Sequence, residues 1–477
     1  MSESSDKPVC HGRGVFCNST LNLRGISAIG YDMDYTLIHY RVAEWECCAF
    51  DHAKRCLEEA GWPVADLTFA PDQMIQGLVV DTERGNLCKV NRFGYVKRAL
   101  HGTKPLDFEE QRRVYARTIV DHRDARFVFM ATLFSLSESS LYAQLVDLWD
   151  AGALPGVNGY VDLYRRARGS IDEAHREGQL KAEITADPDR FVALDPDTPR
   201  TLLDQRDAGK QLLLVTNSEW SYTSRMMTYT FDRYLPEGQT WRDLFDFIIV
   251  SARKPDFFSG HSPLLEVVDE EGLLRPTVEL PQPGHVYFGG SAGLFERTLD
   301  LSGDRILYVG DHFFGDVHAT KKILRWRTAL IARELEEEIE AAAGFAATQR
   351  ELEALMREKE ALEHRTLQRR LRLQRHRRKR ERLSGKERAT IEGELGGARE
   401  ELDALDARIA PLAKMAAELG NHNWGPLMRT GNDKSYLAHL LERHADIYTS
   451  RVSNLMFETP FRFFRSARGT LPHDLLG

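Results

Sequence analysis

Residues 26–38 read ISAIGYDMDYTLI: an apolar run that ends in a polar turn carrying two aspartates two positions apart. An apolar run of this length bounded by a turn suits a strand buried on both faces, as in a parallel sheet covered by helices. The same shape returns at 211–218, QLLLVTNS, and again at 305–317, RILYVGDHFFGDV. A fourth apolar run, FDFIIVS at 245–251, is closed by ARKP. In open α/β sheets ligands bind beyond the carboxyl ends of the strands. The four runs are therefore expected to deliver their terminal residues to one place.

Those residues suit phosphorus chemistry. A carboxylate beside a bound divalent cation stays ionised and can attack phosphorus, which is the role open to Asp32. A second carboxylate held slightly away, Asp34, can protonate a leaving oxygen and then deprotonate a water. An Asp-rich turn also has a purely structural use, because Asp caps turns and helices. Asp311 and Asp316 form a second acidic loop, and hard cations such as Mg²⁺ take oxygen ligands. Thr216, Asn217 and Ser218 offer a hydroxyl and backbone N–H groups of the kind that cradle phosphate oxygens. Lys254 adds a point charge.

The order DxDxT, apolar-TNS, Lys-Pro, GDxxxGD resembles the haloacid dehalogenase-like superfamily. YDMDYTL, LLVTNSEWSYTSRMMTYTFD, SARKPDFF, VYFGGS, YVGDHFFGDV and ADIYTSRVSNL resemble, more closely, the cytosolic purine (IMP–GMP-type) 5'-nucleotidases within it. The resemblance implies a Rossmann-like parallel-sheet core with a large inserted cap and a mechanism in which Asp32 becomes phosphorylated. Asp34 would be the acid and base, and Thr216, Asn217 and Lys254 would bind the phosphoryl group. Asp32, the carbonyl of Asp34 and Asp311 would hold Mg²⁺, with Asp316 supporting that loop. It also implies a purine nucleoside monophosphate as substrate, phosphotransfer to a second nucleoside, and a homo-oligomer, dimer or tetramer.

About 170 residues separate the first two strands, far more than one crossover helix requires, so an inserted domain is expected there. Within it Arg168, Asp172 and His175 fall at i, i+4 and i+7, on one helix face. An Arg–Asp pair at that spacing can be a solvated ion pair and nothing more. The resemblance makes Arg168, Asp172 and His175 substrate-binding positions, Lys181 a phosphate ligand and Phe134 the ring that stacks on the base. Ala131 stands where relatives carry Asn. Leu440 and His444, beside Arg443, depart from the family's purine effector site, although Phe314 matches one of its aromatics, so effector control is not expected.

The expected organisation is a phosphohydrolase core at 1–40 with 195–335, a cap at 41–194, a charged helical hairpin at 336–418 and a C-terminal segment at 419–477. In the hairpin, Ile391, Leu395, Ala398, Leu402, Leu405, Ile409 and Leu412 alternate at spacings of four and three, a heptad seam. Ser384-Gly385 is expected to make the turn. Residues 365–382 hold ten Lys or Arg and one acid. They read as a solvated helix face or, alternatively, as an arm for an acidic ligand such as RNA. Phe457, Phe461, Phe463 and Phe464 are expected in a core or subunit contact.

The whole chain has 477 residues and a formal net charge of −8, which gives no global reason to expect nucleic acid as a partner. It has no uninterrupted apolar run near 18 residues, so no membrane span is expected. The N-terminus has no leader-like pattern. All six cysteines lie in the first fifth of the chain without a CxxC pair, which suits reduced thiols in the cytoplasm. The spacing of Cys10, His11 and Cys17 matches no zinc pattern.

Overall fold

A computed structural model describes residues 11–176, 178–277 and 279–469, with the side chains of His11, His175 and Arg176 also outside the described set. The trio Cys10, His11 and Cys17 therefore falls largely outside it. The described chain forms two compact units. One contains residues up to Glu337 together with those from Leu427 onward, and the other runs from Glu338 to Pro426.

The first unit is built on a ten-stranded sheet. In chain order its strands are β1 (Val15–Cys17), β2 (Ala28–Tyr31), β3 (Gln211–Val215), β4 (Phe247–Val250) and β5 (Leu264–Val267), then β6 (Leu274–Pro276), β7 (His285–Gly289), β8 (Ile306–Gly310), β9 (Arg327–Ile331) and β10 (Ile447–Thr449). Their spatial order is β1-β10-β9-β8-β2-β3-β4-β7-β5-β6. The stretch from β10 to β7 is parallel throughout. Antiparallel strands close both edges, β1 beside β10 and the β5–β6 hairpin beside β7. The mixed α/β fold with a mostly parallel central sheet is thus as expected, and the antiparallel edges add to it.

Every residue of β2, β4 and β8 is buried, as strands covered on both faces must be. Gly30 in β2 has a specific reason to lack a side chain. A Cβ there would lie 2.8 Å from the ring of Tyr308 in β8, so the glycine lets that ring cross the neighbouring strand.

Between β2 and β3 the chain makes a five-stranded antiparallel sheet and several helices, among them Val42–Glu59, Ser135–Asp150, Tyr160–Arg176 and Gln179–Ala186. The second unit contains most of a long antiparallel helical pair, Leu335–Arg377 and Gly385–Ala417. Leu355 and Leu362 pack with Ala398, Leu405 and Ile409 of the heptad seam. Lys359 bonds Asp406, and Arg369 lies 2.7 Å from Glu394, which fixes the antiparallel register.

One expectation needs correction. The turn lies before Ser384, not at Ser384-Gly385. Ser384 instead caps the second helix, its hydroxyl accepting the Glu387 N–H at 3.2 Å while the Glu387 carboxylate accepts the Ser384 N–H at 2.8 Å. Ser-x-x-Glu is a reciprocal capping box, and that pairing outweighs the turn preference of Ser-Gly. Of the four phenylalanines singled out near the C-terminus, Phe464 is buried, while Phe457, Phe461 and Phe463 are exposed in the single chain. Phe463 and Phe464 are consecutive on a short strand, so only one can face inward.

Candidate active site

β8, β2, β3 and β4 are consecutive neighbours, so their carboxyl ends lie side by side. Asp32 follows β2, Thr216 follows β3, Lys254 lies four residues past β4 and Asp311 follows β8. Parallel pairing continues past the strand ends. The Asp32 N–H donates to Val309 O and the Thr216 N–H to Ile249 O, both at 2.9 Å. The backbone thus aims these residues before any side chain interacts.

Lys254 is the centre of the cluster and is itself buried. Its Nζ lies 2.7 Å from Asp32 Oδ1 and 2.9 Å from Asp316 Oδ1, and donates to the Tyr308 hydroxyl at 3.1 Å. That hydroxyl donates in turn to Val215 O at 3.1 Å. This is the use of the ring that Gly30 admits. Asn217 fixes the lysine backbone from β3: the Lys254 N–H donates to Asn217 Oδ1 at 2.6 Å, and Asn217 Nδ2 donates to Lys254 O at 3.2 Å.

Asp34 sits apart from that ammonium. Its carboxylate accepts from the Tyr40 hydroxyl at 2.5 Å and from Ser218 Oγ at 2.7 Å. The Ser218 N–H donates to Thr216 Oγ1 at 3.0 Å, leaving the threonine hydroxyl hydrogen for another acceptor. The loop 216–219 leads straight into helix Trp220–Phe231, whose N-terminal N–H groups favour an anion.

The acidic loop after β8 is wound tightly. It enters π-helical turns at Phe313–His318, a geometry often found at functional sites. Asp316 Oδ2 accepts the His312 N–H at 3.1 Å. A Cβ on Gly310 would meet that same carboxylate at 2.4 Å, so only glycine lets Asp316 fold back over the strand end.

Carboxylate oxygens of Asp32, Asp311 and Asp316 all lie within 4.8 Å of one another. Burial raises the pKa of Asp32 to about 6, against the pull of Lys254. Burial, then the like charges of Asp32 and Asp316, holds Asp311 well above the carboxylate range. Asp34 is also raised, chiefly by burial. Burial depresses Lys254, but Asp316 and Asp32 more than offset it and hold its pKa well above the usual lysine value. Four buried carboxylates thus face too little positive charge. An all-oxygen donor set with excess negative charge fits a hard divalent cation such as Mg²⁺, held by Asp32 and Asp311 with Asp316 shaping the loop.

In the inserted segment Lys181 Nζ donates to Ser218 Oγ at 3.3 Å and pairs with Glu219 at 2.7 Å, which brings it to the loop that follows β3. Arg168 does pair with Asp172, at 3.1 Å, and also donates to Glu138 at 2.6 Å. Glu138 is 1% exposed and accepts from the Tyr164 hydroxyl at 2.5 Å as well. Burial, then the Lys254 charge, lowers His312 to about 4 against the pull of Asp32. Phe134 is half-buried at the start of helix Ser135–Asp150, its ring edge-on to Tyr35 at 4.7 Å and near Trp45 at 5.6 Å. The His175 side chain lies outside the described residues.

Sequence reasoning missed Glu138, Tyr40, Tyr308 and the bridging part of Ser218. Ser218 was within reach, as the third member of the TNS turn. Glu138 had no signal, because a Glu inside SLSESS does not announce burial.

A sheet whose adjacent strand ends gather two aspartates, a threonine, a lysine and an acidic loop defines a hydrolase of phosphoesters. A family model described as the 5' nucleotidase family matches residues 15–476. The chain belongs to that family. A 5'-nucleotidase domain-containing protein of Dictyostelium discoideum is 27% identical over 98% of this chain and 76% of its own length. The human 5'-nucleotidase domain-containing protein 2 is 27% identical over 96% and 85%. Among solved structures, a HAD phosphatase from Thermococcus onnurineus matches 65% of this chain and 87% of its own at 14% identity and a TM-score of 0.24. No helix among the described residues is long and apolar enough to cross a membrane.

Proposed function

We propose that this chain is a Mg²⁺-dependent 5'-nucleotidase that hydrolyses purine nucleoside 5'-monophosphates, IMP or GMP, through a phosphorylated Asp32. The observation that carries the reading is the position of Lys254, bonded at once to Asp32 and Asp316 while Asp34 is held separately by Tyr40 and Ser218. Two aspartates in such different settings are suited to two roles.

An Asp32 carboxylate oxygen attacks phosphorus, and the bond from phosphorus to the nucleoside 5'-oxygen breaks. Asp34, whose pKa burial raises, gives its proton to that oxygen. Asp34 then takes a proton from water, whose oxygen attacks phosphorus and releases Asp32 and phosphate. A nucleoside hydroxyl in place of the water gives phosphotransfer. Lys254, Thr216, Asn217 and Lys181 hold the phosphoryl oxygens. Mg²⁺, when bound at Asp32, the Asp34 carbonyl and Asp311, neutralises charge in the site. Positioning and charge neutralisation supply most of the catalysis in phosphoryl transfer.

The base is read by Phe134 against its face and by Arg168, Asp172 and His175 along its edge. In this reading 1–40 with 195–335 is the phosphohydrolase core, 41–194 the substrate-facing insert, 336–418 a hairpin and 419–477 a segment packing on the core or on a second copy in a dimer or tetramer.

The test is phosphate release from IMP, GMP, AMP, UMP and a panel of sugar phosphates, with Mg²⁺ and with chelator. IMP and GMP are expected to turn over fastest, and chelator to stop the reaction. Equal rates on sugar phosphates would reject the nucleotidase reading.

A further inference from the structure

We propose that Cys48, His52 and Glu183 form a second cation site, of the zinc type, in the inserted segment and separate from the oxygen-only cluster at the strand ends. Cys48 Sγ, a His52 ring nitrogen and a Glu183 carboxylate oxygen all lie within 4.8 Å of one another. Cys48 and His52 are one turn apart on helix Val42–Glu59, so they share a face. Both are buried, at 6% exposure each. Glu183 comes from helix Gln179–Ala186.

Tetrahedral zinc with bonds of about 2.0–2.3 Å spaces its ligands roughly 3.3–3.7 Å apart. His52 Nε2 and Glu183 Oε2 are already 3.2 Å apart, and Cys48 Sγ lies within 4.8 Å of both, so movement of the thiol toward them completes the triangle. The other Glu183 oxygen, Oε1, faces Arg190 Nη1 at 3.7 Å, and Arg190 is held by Glu44 at 2.8 Å. A ligating carboxylate whose spare oxygen is steadied by a neighbour is the usual outer arrangement of a metal site. The Glu183 side chain is 42% exposed, which gives an ion its entry path.

The donor chemistry separates this site from the active centre. Sulfur and imidazole favour Zn²⁺ or Co²⁺, whereas three carboxylates favour Mg²⁺. Three protein ligands leave a fourth position for water. Binding releases the Cys48 thiol proton as the sulfur–metal bond forms. It would also fasten the helix that carries Lys181 to helix Val42–Glu59.

The full chain, stripped of metal and then held in excess Mg²⁺, is titrated with Co²⁺ and back-titrated with Zn²⁺. The expected result is a thiolate-to-cobalt charge-transfer band that saturates at one ion per chain and is displaced by Zn²⁺. The band is lost in Cys48→Ser and survives in Asp32→Asn. Glu183→Gln, at a partly exposed position, weakens Co²⁺ binding by at least about tenfold and keeps the test decisive if Cys48→Ser does not fold. No thiolate band in the wild type, a band unchanged in both Cys48→Ser and Glu183→Gln, or binding that disappears only in Asp32→Asn would overturn the proposal.

Discussion

The strand ends and the inserted segment position their charged residues in opposite ways. Asp32, Thr216 and Asp311 are set by the backbone, each the first residue after a parallel strand, with its neighbours fixed by ladder hydrogen bonds. Arg168 is set by another side chain, Glu138, which approaches from a different helix and is itself pinned by Tyr164. The strand ends carry uncompensated negative charge around one ammonium, which suits a site that must receive a cation and a phosphate. In the insert Arg168 is held between two carboxylates, Glu138 and Asp172, which suits an arginine that must hold its direction. A fault at the strand ends should therefore stop chemistry, and a fault in the insert should loosen binding.

The largest expected effect is at the nucleophile. Asp32→Asn should lower kcat on the order of 10⁵-fold or more, because loss of a nucleophile leaves only binding and electrostatics, as steady-state phosphate release will measure. Asp34→Asn should cost about 10²–10⁴-fold, the scale of a lost general acid and base. It should cost less with a substrate whose leaving group needs no proton, such as a nitrophenyl phosphate, and an equal loss on both substrates would deny Asp34 its role.

Lys254→Met removes the cation from a buried ionic cluster. It should destabilise the fold by about 3–5 kcal/mol, read from denaturant unfolding in chelator, with part of the loss restored by Mg²⁺.

The same cluster predicts a pH dependence. Asp32 has its pKa raised by burial to about 6, so between the unfolded value near 4 and 6 the folded chain binds the extra proton. Its contribution is fully present below about 4 and is lost as pH rises through about 6. In chelator, the Asp32 contribution should fall across that window, and it should not in Asp32→Asn. Mg²⁺ should raise the thermal midpoint more at pH 7 than at pH 5. A larger Mg²⁺ effect at pH 5 would contradict the charge account.

The smallest effect is in the insert. Glu138→Gln should raise KM for the nucleotide about tenfold, roughly 1.4 kcal/mol, and leave kcat within a few-fold. A kcat loss as large as that of Asp34→Asn would erase the distinction between the two regions.

This contrast also explains what could be read before the structure. A parallel strand writes itself as a continuous apolar run, and its terminal residue has one place to go. The four runs at 26–38, 211–218, 245–251 and 305–317 therefore located the strand ends of the sheet and the neighbours Asp32, Thr216, Lys254 and Asp311. The antiparallel edges were not legible, since Val15–Cys17 and Leu274–Pro276 are three residues long and carry no period. In the insert, the i, i+4 spacing located the Arg168–Asp172 pair but not Glu138, because contacts between helices leave no spacing in the sequence. The hairpin shows the same limit. Its heptad seam was visible in the sequence, but its turn was misplaced, because a capping hydrogen bond and a turn draw on the same residue types.

The central claim is that Asp32 carries the phosphoryl group in transit. The direct measurement is an acid quench during turnover of a nucleotide labelled at its phosphate, followed by mapping of the label on the chain. The account predicts a label on the peptide containing residues 26–38, at Asp32, that is acid-stable and released by hydroxylamine. Full turnover with no label on the chain, or with the label on any other residue, would contradict it.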